Sequence, residues 1–514
     1  MRDLTNEPMM TLIQNPYQYK ICSASQSREA DRLTIEKFGL SGNLLMETAG
    51  LQAARWISGK TREGSNGLYI CGKGNNAGDA LVIARYLAMH NRHNCTLLML
   101  SGEEDLSPDS DKNLSHLKSL SHQGITVNFI DNLNAIPNEN WNYIIDGMLG
   151  TGLTSDLRSP YDQAVNWINT HCHNSLVYAI DIPTGLHADH GKIMGDAVRA
   201  NATLSFGARK LGFYFNAGIE VTGKIIQFYL SFPENYLEST ATVLLPELEK
   251  ELPSITRLRQ HKYSEGVLYI IAGSEGLTGA AIMSARSAWK SGVGAVFLIT
   301  PKGLLSIYEK TLPEIIKMPV GAYEDTYFST SHSDSVLNML NQHEGTLLIG
   351  PGLGRKRKTL DFTKNILNNF QGSVVVDADA LLSIQEAEKP DKSTWIITPH
   401  PGEVRHLDKQ ITEDFGRLSW ANKFSTEHEI NVVSKGSPTI VSTREGELYI
   451  TGYDTRIFSR AGFGDVLSGK IAGFLTICKD VETSTIHALL DGYHKASDKK
   501  IEEPETSVEP QHLL

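Results

Sequence analysis

The stretch CGKGNNAGDALVIARYL, residues 71 to 87, combines the end of a strand, a polar glycine-rich turn and the start of an amphipathic helix. Glycines in such a turn let backbone N–H groups approach a ligand, and the N-terminus of the following helix attracts negative charge. Gly72, Gly74 and Ala77 match the loose GxGxxG/A spacing, which also occurs in ordinary glycine-rich turns. The segment predicts an α/β fold with its ligand crevice at the carboxyl ends of parallel strands.

Outside this stretch, short apolar runs of strand length alternate with amphipathic runs of helix length, which is typical of βαβ units. In the first half the strand-like runs are LYIC (68–71), CTLLML (95–100), YIIDGML (143–149) and LVYAIDI (176–182). In the second half they are VLYIIAG (267–273), AVFLIT (295–300), TLLIG (346–350), SVVVDAD (373–379), TWIIT (394–398) and INVVSKG (430–436). Between about 231 and 262 the alternation lapses into prolines and mixed charges, which favours a domain edge. We therefore predict two α/β domains, residues 1–240 and 241–514.

Composition narrows the class of protein. A chain of 514 residues has room for two to four domains of roughly 150 residues each. Its 48 Lys and Arg against 59 Asp and Glu give a net charge of −11, which opposes binding to nucleic acid or to an anionic membrane surface. The five cysteines form no CxxC pair, and neither a signal peptide nor a membrane-spanning run is found. These features predict a cytoplasmic protein with no nucleic-acid or membrane partner.

Polar side chains collect at three predicted strand ends of the first half. Asn75, Asn76 and Asp79 lie in the glycine-rich turn, Asp146 lies in IIDGMLGTGL (144–153), and Asp181 lies in AIDIPTGL (179–186). Because parallel strands end at one edge of the sheet, these side chains can converge on one pocket, although each Asp alone could simply satisfy loop N–H groups. An oxygen-rich set without His or Cys suits a hard monovalent or divalent cation rather than zinc.

The second half carries SRAGFGDVLSGKIAGFL (459–475), in which Gly462, Gly464 and Asp465 precede a predicted helix. Exposed N–H groups and the helix dipole favour an anion there, and the Asp can accept a hydroxyl proton, which suits phosphoryl transfer to an alcohol. A glycine turn capped by an Asp would give the same pattern. Three further segments favour a phosphate site: VVSKGSPTIV (432–441), IITPHPGE (396–403) and LLIGPGLG (347–354).

In the first half, GNNAGD, DGMLGTGL, DIPTG and FGARKLGF (206–213) closely resemble the NAD(P)H-hydrate epimerase domain. The resemblance implies a Rossmann-like fold that interconverts the R and S forms of hydrated NAD(P)H with a bound potassium ion. It implies that Asn76, Asp146 and Thr184 hold potassium and that Asp146 transfers a proton. The residues that it places on the hydrated nucleotide are Asn75, Asn76, Ala77, Gly78, Asp79, Gly150, Thr151, Gly152, Leu153, Thr154, Ser155, Asp156 and Asp181.

The second-half motifs, with AGSEGLTGAAIMSARSAWKSGVGA (272–295) and VDADAL (376–381), resemble the ribokinase-like ADP-dependent NAD(P)H-hydrate dehydratases. Together the halves follow the order of the bifunctional repair enzymes, a family that tends to form homo-oligomers. The resemblance implies that ADP phosphorylates the C6 hydroxyl, with Asp465 as base and magnesium on the phosphates, and that elimination leaves AMP and phosphate. Asp377 and Asp379 would place the ion through water, although hydrogen bonding at the end of the strand explains them equally well. The implied hydrate contacts are Ala280, Gly352, His400 and Asp465, and the implied ADP contacts are Lys435, Gly436, Ser437, Pro438, Thr439 and Gly464.

The chain departs from both family patterns. Ala77 and Ala80 stand where the epimerases usually carry glycine, and we expect their methyl groups to narrow the pocket or to hinder a positive φ. Thr184 replaces serine and keeps the hydroxyl. Phe463 replaces a small residue or threonine, and TRIFSR (455–460) replaces an asparagine-glycine loop with small residues, so nucleotide binding depends on where Phe463 points.

Two other functions remain open on the sequence alone. A ribokinase-like, ATP-dependent small-molecule kinase would use the GxGD turn equally well, but it leaves ITPHPGE, KGSPT and the fused first domain unexplained. A nucleotide-binding protein without turnover would account for Ala77, Ala80 and Phe463. No single residue decides between ADP and ATP.

Overall fold

The computed structural model describes residues 17–252, 266–411 and 416–514, so the part of the predicted domain edge from 253 to 262 lies outside the described residues. The chain divides into two compact units, Met1–Thr242 and Val243–Leu514. Both units are α/β, which confirms the predicted fold class. Among the described residues, no helix is both long and apolar enough to cross a membrane.

The first unit is built around a seven-stranded sheet. Its helices are α1 (Ala24–Glu36), α2 (Gly42–Ser58), α3 (Asn75–Asn91), α4 (Pro108–His122), α5 (Tyr161–His171) and α6 (Gly218–Val221). Its strands are β1 (Lys20–Cys22), β2 (Asn66–Cys71), β3 (Asn94–Met99), β4 (Val127–Ile130), β5 (Tyr143–Gly147), β6 (Leu176–Ile180), β7 (Ala202–Phe206), β8 (Arg209–Lys210), β9 (Lys224–Phe228) and β10 (Ala241–Leu244). The sheet order is β4-β3-β2-β5-β6-β7-β9 with every neighbouring pair parallel. The strand order therefore reverses between β2 and β5, as in a Rossmann fold, and opens a crevice beyond their carboxyl ends.

Strand β2 shows why this sheet is covered on both faces. Tyr69 and Cys71 belong to the buried cluster formed with helices α2, α3 and α4. Leu68 and Ile70 belong to a second cluster that includes residues of α5. Because successive side chains of a strand point to opposite faces, this continuous apolar run needs helices on both sides. The polar residues of the following turn are thereby left at the carboxyl edge of the sheet.

The second unit has the same kind of architecture. Its helices are α7 (Thr278–Lys290), α8 (Leu305–Thr311), α9 (Ser333–Leu340), α10 (Arg357–Asn369), α11 (Pro401–Leu407), α12 (Gly416–His428), α13 (Phe463–Cys478) and α14 (Val481–Glu502). Its strands are β11 (Val267–Ile271), β12 (Ala295–Pro301), β13 (Ile316–Val320), β14 (Thr346–Ile349), β15 (Ser373–Val376), β16 (Thr394–Ile397), β17 (Asn431–Ser434), β18 (Ile440–Ser442) and β19 (Leu448–Thr451). They run in the order β13-β12-β11-β14-β15-β16-β17-β18-β19, parallel as far as β17 and antiparallel beyond it.

Helix α13 is fixed over this sheet by close packing against α7. The Ser287 hydroxyl donates to the carbonyl of Val466 over 2.6 Å. At Gly469 a Cβ would lie 2.3 Å from the Ser284 carbonyl, so only glycine allows the two helices to approach this closely. The N-terminus of α13, which carries the GFGD turn, is held at a defined place as a result.

We expect Gly72→Ala to destabilise the first unit by about 1–3 kcal/mol, because a Cβ there would lie 2.2 Å from the Met148 carbonyl, where two strand-end loops meet. Gly74→Ala, in the same turn, has nothing within 4 Å of its Cβ and should cost less than about 1 kcal/mol. Denaturant titration of both variants measures the difference. Equal stabilities would show that the two loops do not meet as described.

Candidate functional site

In the first unit, Asp146 lies at the end of β5 and is completely buried. Its carboxylate accepts hydrogen bonds from the Thr184 hydroxyl (2.7 Å), the Thr184 N–H (2.8 Å) and the Met148 N–H (3.3 Å). Burial raises the pKa of Asp146 to about 6, although these hydrogen bonds lower it in part. A carboxyl group that titrates near neutrality can both donate and accept a proton.

Asn76 lies beside this carboxylate loop. It is buried in the first turn of α3, and its side-chain Nδ2 has no hydrogen-bond partner. A Cβ at Gly150 would lie 3.7 Å from the Asn76 carboxamide, which places the predicted loop of residues 150–156 next to it. Because a buried amide without a partner is costly, this group points to a ligand in the crevice.

The two alanines that depart from the epimerase pattern lie within α3, not in a loop. Their backbone is helical, so the expectation that they hinder a positive φ is wrong. Both side chains are fully buried, and Ala77 packs in the core with residues of α2 and α4. The Ala80 methyl group faces Gly147, where an added Cβ would lie 2.6 Å away. The methyl groups therefore fill the core beneath the turn.

The other predicted residues of the α3 turn divide between core and solvent. Gly78 packs against Met46, and a Cβ built at Gly78 would lie 2.5 Å from the Met46 side chain. Its contact with the hydrate stays a prediction. The N–H groups of Ala77 and Gly78 bond to the Gly74 carbonyl. Asn75 is exposed, and Asp79 is half-buried.

Three carboxylates and one lysine form a charged group at the same edge of the sheet. Lys210, almost completely buried, forms an ion pair with Asp181 and donates to the Phe206 carbonyl over 3.1 Å. Burial, together with the carboxylates of Asp181 and Asp31, raises the pKa of Asp79 well above its ordinary range. Burial and Asp181 raise the pKa of Asp31 to about 6. One cation, Lys210, thus lies among three carboxyl groups, and the pKa values of two of them, Asp31 and Asp79, are raised.

Helix α1 anchors the neighbouring loop. The Arg28 guanidinium donates to the Thr151 carbonyl over 3.3 Å, and Asp31 lies one helical turn further along the same face. Four of the predicted hydrate contacts in this loop are exposed: Gly152, Thr154, Ser155 and Asp156. The other three, Gly150, Thr151 and Leu153, are half-buried.

In the second unit, a cavity of about 650 Å³ opens at the N-terminus of α13. The predicted site residues that line it are His400, Lys435, Gly436, Ser437, Thr439, Gly464 and Asp465. Ala280 and Gly352 do not line it but lie against each other, with 3.1 Å between the Ala280 Cβ and a Cβ built at Gly352. The structure thus brings most of the predicted nucleotide residues into one cavity of ligand size.

An ion pair crosses the floor of this cavity. The Lys435 Nζ lies 2.8 Å from Asp377 Oδ1, which also accepts from the Thr398 hydroxyl over 2.7 Å. A Cβ at Gly464 would lie 3.2 Å from the same Nζ, so the ammonium group sits directly at the GFGD turn. The positive charge of Lys435 and the partial positive charge at the N-terminus of α13 therefore meet at one point, where a phosphate would bind.

The carboxylate of Asp465 lies in the first turn of α13, next to this ion pair. Burial and the negative charge of Asp377 raise its pKa to about 7, while Lys435 opposes the shift. Burial lowers the pKa of Lys435, but Asp377, Glu403 and Asp465 outweigh it and the net shift is upward. At neutral pH the lysine is charged and Asp465 is poised to take up a proton.

The turn of residues 435–439 joins β17 to β18, as the strand-to-strand interpretation predicted. Arg417 of α12, buried beneath it, donates to the carbonyls of Ser434, Lys435 and Pro438. A Cβ at Gly436, whose φ is +146°, would lie 2.8 Å from this guanidinium. Arg417 therefore orients the turn from its buried side. No sequence motif predicted this role.

His400 caps α11. Its Nδ1 accepts from the Gly402 N–H over 2.9 Å, while the Glu403 carboxylate accepts from the His400 N–H over 2.8 Å. The imidazole is 53% exposed and lines the cavity, and its Nε2 lies 3.4 Å from Glu403 Oε1. Sequence reasoning singled out His400 but did not assign Glu403, whose negative charge also acts on Lys435.

The side chain of Phe463 is buried in an apolar cluster with Val466, Ala496, Val508 and Leu513, and its ring meets Phe458 edge-on at 5.5 Å between centroids. Phe463 and Leu513 also line the cavity, so this cluster forms part of the cavity wall. Anion binding at the N-terminus of α13 needs only the backbone of this residue.

Two family models match the chain. The first, described as YjeF-related protein N-terminus, matches residues 42–212, and the second, NAD(P)H-hydrate dehydratase, matches residues 268–514. The bifunctional NAD(P)H-hydrate repair enzyme of Salinibacter ruber is 30% identical over 481 residues, covering 88% of this chain and 87% of the relative. The enzyme of the same description from Thermofilum pendens is 30% identical over 465 residues, with 88% and 87% covered.

Among solved structures, the ADP/ATP-dependent NAD(P)H-hydrate dehydratase from Bacillus subtilis, co-crystallised with ATP and Mg²⁺, is 21% identical. The match covers 53% of this chain and 94% of the Bacillus subtilis chain, with a TM-score of 0.45.

We expect Phe463→Thr to lower stability by about 2–4 kcal/mol, because it leaves a cavity in an apolar cluster, and to leave ADP affinity within about twofold. Thermal unfolding with and without ADP measures both effects. Ile316→Thr, at a residue that is 42% exposed, is the matched control and should change stability by less than about 0.5 kcal/mol. An unchanged melting temperature together with tighter ADP binding would place the ring in the anion site instead.

Proposed function

The chain belongs to the family of bifunctional NAD(P)H-hydrate repair enzymes, and we propose that it repairs hydrated NADH and NADPH with one activity in each unit. Residues 1–240 epimerise the R and S hydrates, and residues 241–514 dehydrate the S form with ADP. The observation that carries the second activity is the position of Asp465 beside Lys435 at the N-terminus of α13. A separate small-molecule kinase is not adopted, because family membership covers both units.

In the dehydratase, the C6 hydroxyl oxygen of the hydrate attacks the β-phosphorus of ADP, and Asp465 takes the proton of that hydroxyl. The bond from that phosphorus to the bridging oxygen breaks, and AMP leaves. Lys435 and the N–H groups of residues 462–464 stabilise the negative charge of the transferred group. The ring nitrogen then expels phosphate from C6, and loss of a C5 proton restores the double bond. His400, whose half-exposed imidazole lines the cavity, is the candidate to contact the hydrate.

In the epimerase, the C6 carbon carries its hydroxyl next to the ring nitrogen. Protonation of that hydroxyl by a neutral carboxyl group lets it leave as water, and water that returns on the other face inverts the centre. A buried Asp146 with a pKa near 6 suits this exchange, and Asp79 and Asp181 at the same sheet edge suit contact with the substrate.

The first unit's donor set fits potassium. Asn76, Asp146 and Thr184 offer an amide, a carboxylate and a hydroxyl oxygen, and the Asn76 Nδ2 position has no hydrogen-bond partner. The oxygen and nitrogen of this carboxamide exchange places by a simple flip. Potassium would supply fixed positive charge beside the hydrated ring.

Magnesium has no such protein cage in the second unit. Asp377 Oδ1 is bonded to Lys435 and Thr398, and both oxygens of Asp379 are bonded, to the Gly354 N–H and to Arg355. Within the described ranges, no three His, Cys, Asp or Glu side chains form a metal site. The ion would therefore arrive on the ADP phosphates, and no step above depends on its ligands.

Two broader assignments are part of the proposal. All five cysteines are free, which supports a reducing, cytoplasmic setting. The family's tendency to assemble supports a homo-oligomer, which sedimentation of the purified chain would test.

We expect Asp465→Asn to lower dehydratase turnover by a factor of about 10³ or more while ADP still raises the melting temperature. Wild-type kcat/KM for the S hydrate should fall about tenfold per pH unit below about pH 7, because Asp465 must be deprotonated to act as base.

A variant of Asp377 tests why the pKa of Asp465 is raised. Asp377→Asn removes a negative charge and frees Lys435 to face Asp465, so the acid limb should move to lower pH. An acid limb that stays at the same pH in this variant would show that Asp465 is not the titrating base.

Asp146→Asn separates the two activities. With a mixture of R and S hydrates, ADP and magnesium, the wild type should restore nicotinamide absorbance completely, whereas the variant should stop its fast phase at the S fraction. Asp162→Asn, at an exposed position of α5, is the control and should behave as wild type. Complete fast recovery in Asp146→Asn would remove Asp146 from the chemistry.

A further inference from the structure

The cavity of the second unit extends beyond Asp465 into a pocket between α13 and α14. We call this the inner pocket and define it by Tyr453, Leu467, Lys470, Ala488, Leu489 and Gly492, all of which line the cavity. The Tyr453 hydroxyl donates to the Leu489 carbonyl over 2.9 Å, so its polar atom is occupied. Apart from the amino group of Lys470, the pocket is therefore apolar. Burial and the neighbouring Lys495 lower the pKa of Lys470, and its contact with the Asp491 carboxylate favours the charged form.

Lys470 is held in the pocket with its charge withdrawn from solvent. Its side chain is 3% exposed and forms an ion pair with Asp491. The Lys495 Nζ lies 3.4 Å from the same Asp491 oxygen, so this carboxylate has a second cation. Replacing a buried ion pair by apolar residues is often neutral or stabilising, so stability does not explain a lysine here. An ammonium group has three donors, and Asp491 Oδ2 occupies one of them.

Gly492 opens the wall opposite. It lies inside α14, where glycine is unfavourable, yet a Cβ built there meets nothing within 4 Å. Its missing side chain leaves open space in a cavity that Tyr453, Leu489 and Lys470 also line. An aromatic base suits such a space, because its faces are apolar and its ring nitrogens accept hydrogen bonds.

The position along α13 matches a nucleotide. Lys470 follows Gly464 by six residues, which is about 9 Å along the helix axis. Phosphate binds at the Gly464 end in the proposed function, and a ribose with its phosphates spans a comparable distance. The inner pocket therefore lies where the base of a bound nucleotide would reach.

We propose that Lys470 recognises the base of ADP by donating a hydrogen bond to one ring nitrogen of adenine, with Asp491 orienting the ammonium group. The inference rests on the proposed use of ADP by this unit. It assigns base recognition to a side-chain charge of α13, separate from the phosphate contacts of Lys435.

The wild-type protein allows the first test. Calorimetry compares ADP with its 1-deaza, 3-deaza and 7-deaza analogues, each of which lacks one ring acceptor. One analogue should bind roughly 10- to 100-fold more weakly, as expected for loss of a hydrogen bond to a charged group. Equal binding of all four overturns the proposal without any variant.

Lys470→Met should bind ADP roughly 10- to 100-fold more weakly than wild type. The variant should also bind ADP and the sensitive analogue with equal affinity. Pyrophosphate binding should stay as in wild type, and the KM for ADP should rise while kcat is retained. Lys495→Met contacts the same Asp491 outside the pocket and is the matched control, with wild-type ADP binding expected. Retained discrimination between ADP and the analogue in Lys470→Met overturns the assignment.

A second variant covers the case in which Lys470→Met does not fold. Gly492→Leu adds a side chain into open space and should abolish ADP binding while pyrophosphate still binds. Unchanged ADP binding in this variant places the base elsewhere and overturns the proposal. A wild type that binds neither ADP nor pyrophosphate contradicts the proposed function itself, which is a separate result.

Discussion

Each unit depends on one constraint of parallel sheets: where the strand order reverses, neighbouring connections leave in opposite directions and the carboxyl edge stays open. In the first unit the reversal lies between β2 and β5, and in the second between β11 and β14. The central strands are buried on both faces and are mostly apolar, so the charged groups of the two sites collect at that edge. Asp146 and Asp377, each at or just after the end of a strand, are the clearest examples of charged groups at this edge.

Burial at these edges turns ordinary carboxyl groups into reactive ones. A desolvated carboxylate must either find cations and N–H donors or hold its proton. Asp377 takes the first course, with Lys435 and Thr398 on one oxygen. Asp465 takes the second, because the nearest cation is already engaged by Asp377, and its pKa rises to about 7. The difference between two neighbouring acids thus follows from how one lysine is shared.

Periodicity and glycine spacing predict the two α/β domains and the central strands of each sheet, since these depend on local patterns along the chain, but they miss β4, β7, β9 and β13. The site residues stay predictions. What these patterns could not predict was the direction of side chains. Ala77, Ala80 and Gly78 were assigned to a loop, but α3 begins at Asn75 and turns them into the core. Lys210 and Arg417 were unassigned because their roles come from burial beneath the site, which no spacing reveals. Asp31 lies on a helix far along the chain from its partners.

The departure at Phe463 shows why the anion site tolerates such change. Phosphate recognition at a helix N-terminus uses backbone N–H groups and a dipole, and neither depends on the side chain of the residue between two glycines. What the turn does require is the φ of +97° at Gly462 and the open face of Gly464 under Lys435. The side chain between them can pack elsewhere, and here it joins Phe458 and Leu513 in an apolar cluster at the cavity wall. Substitution at Gly464 would therefore change ligand binding, whereas substitution at Phe463 would mainly change the stability of the fold.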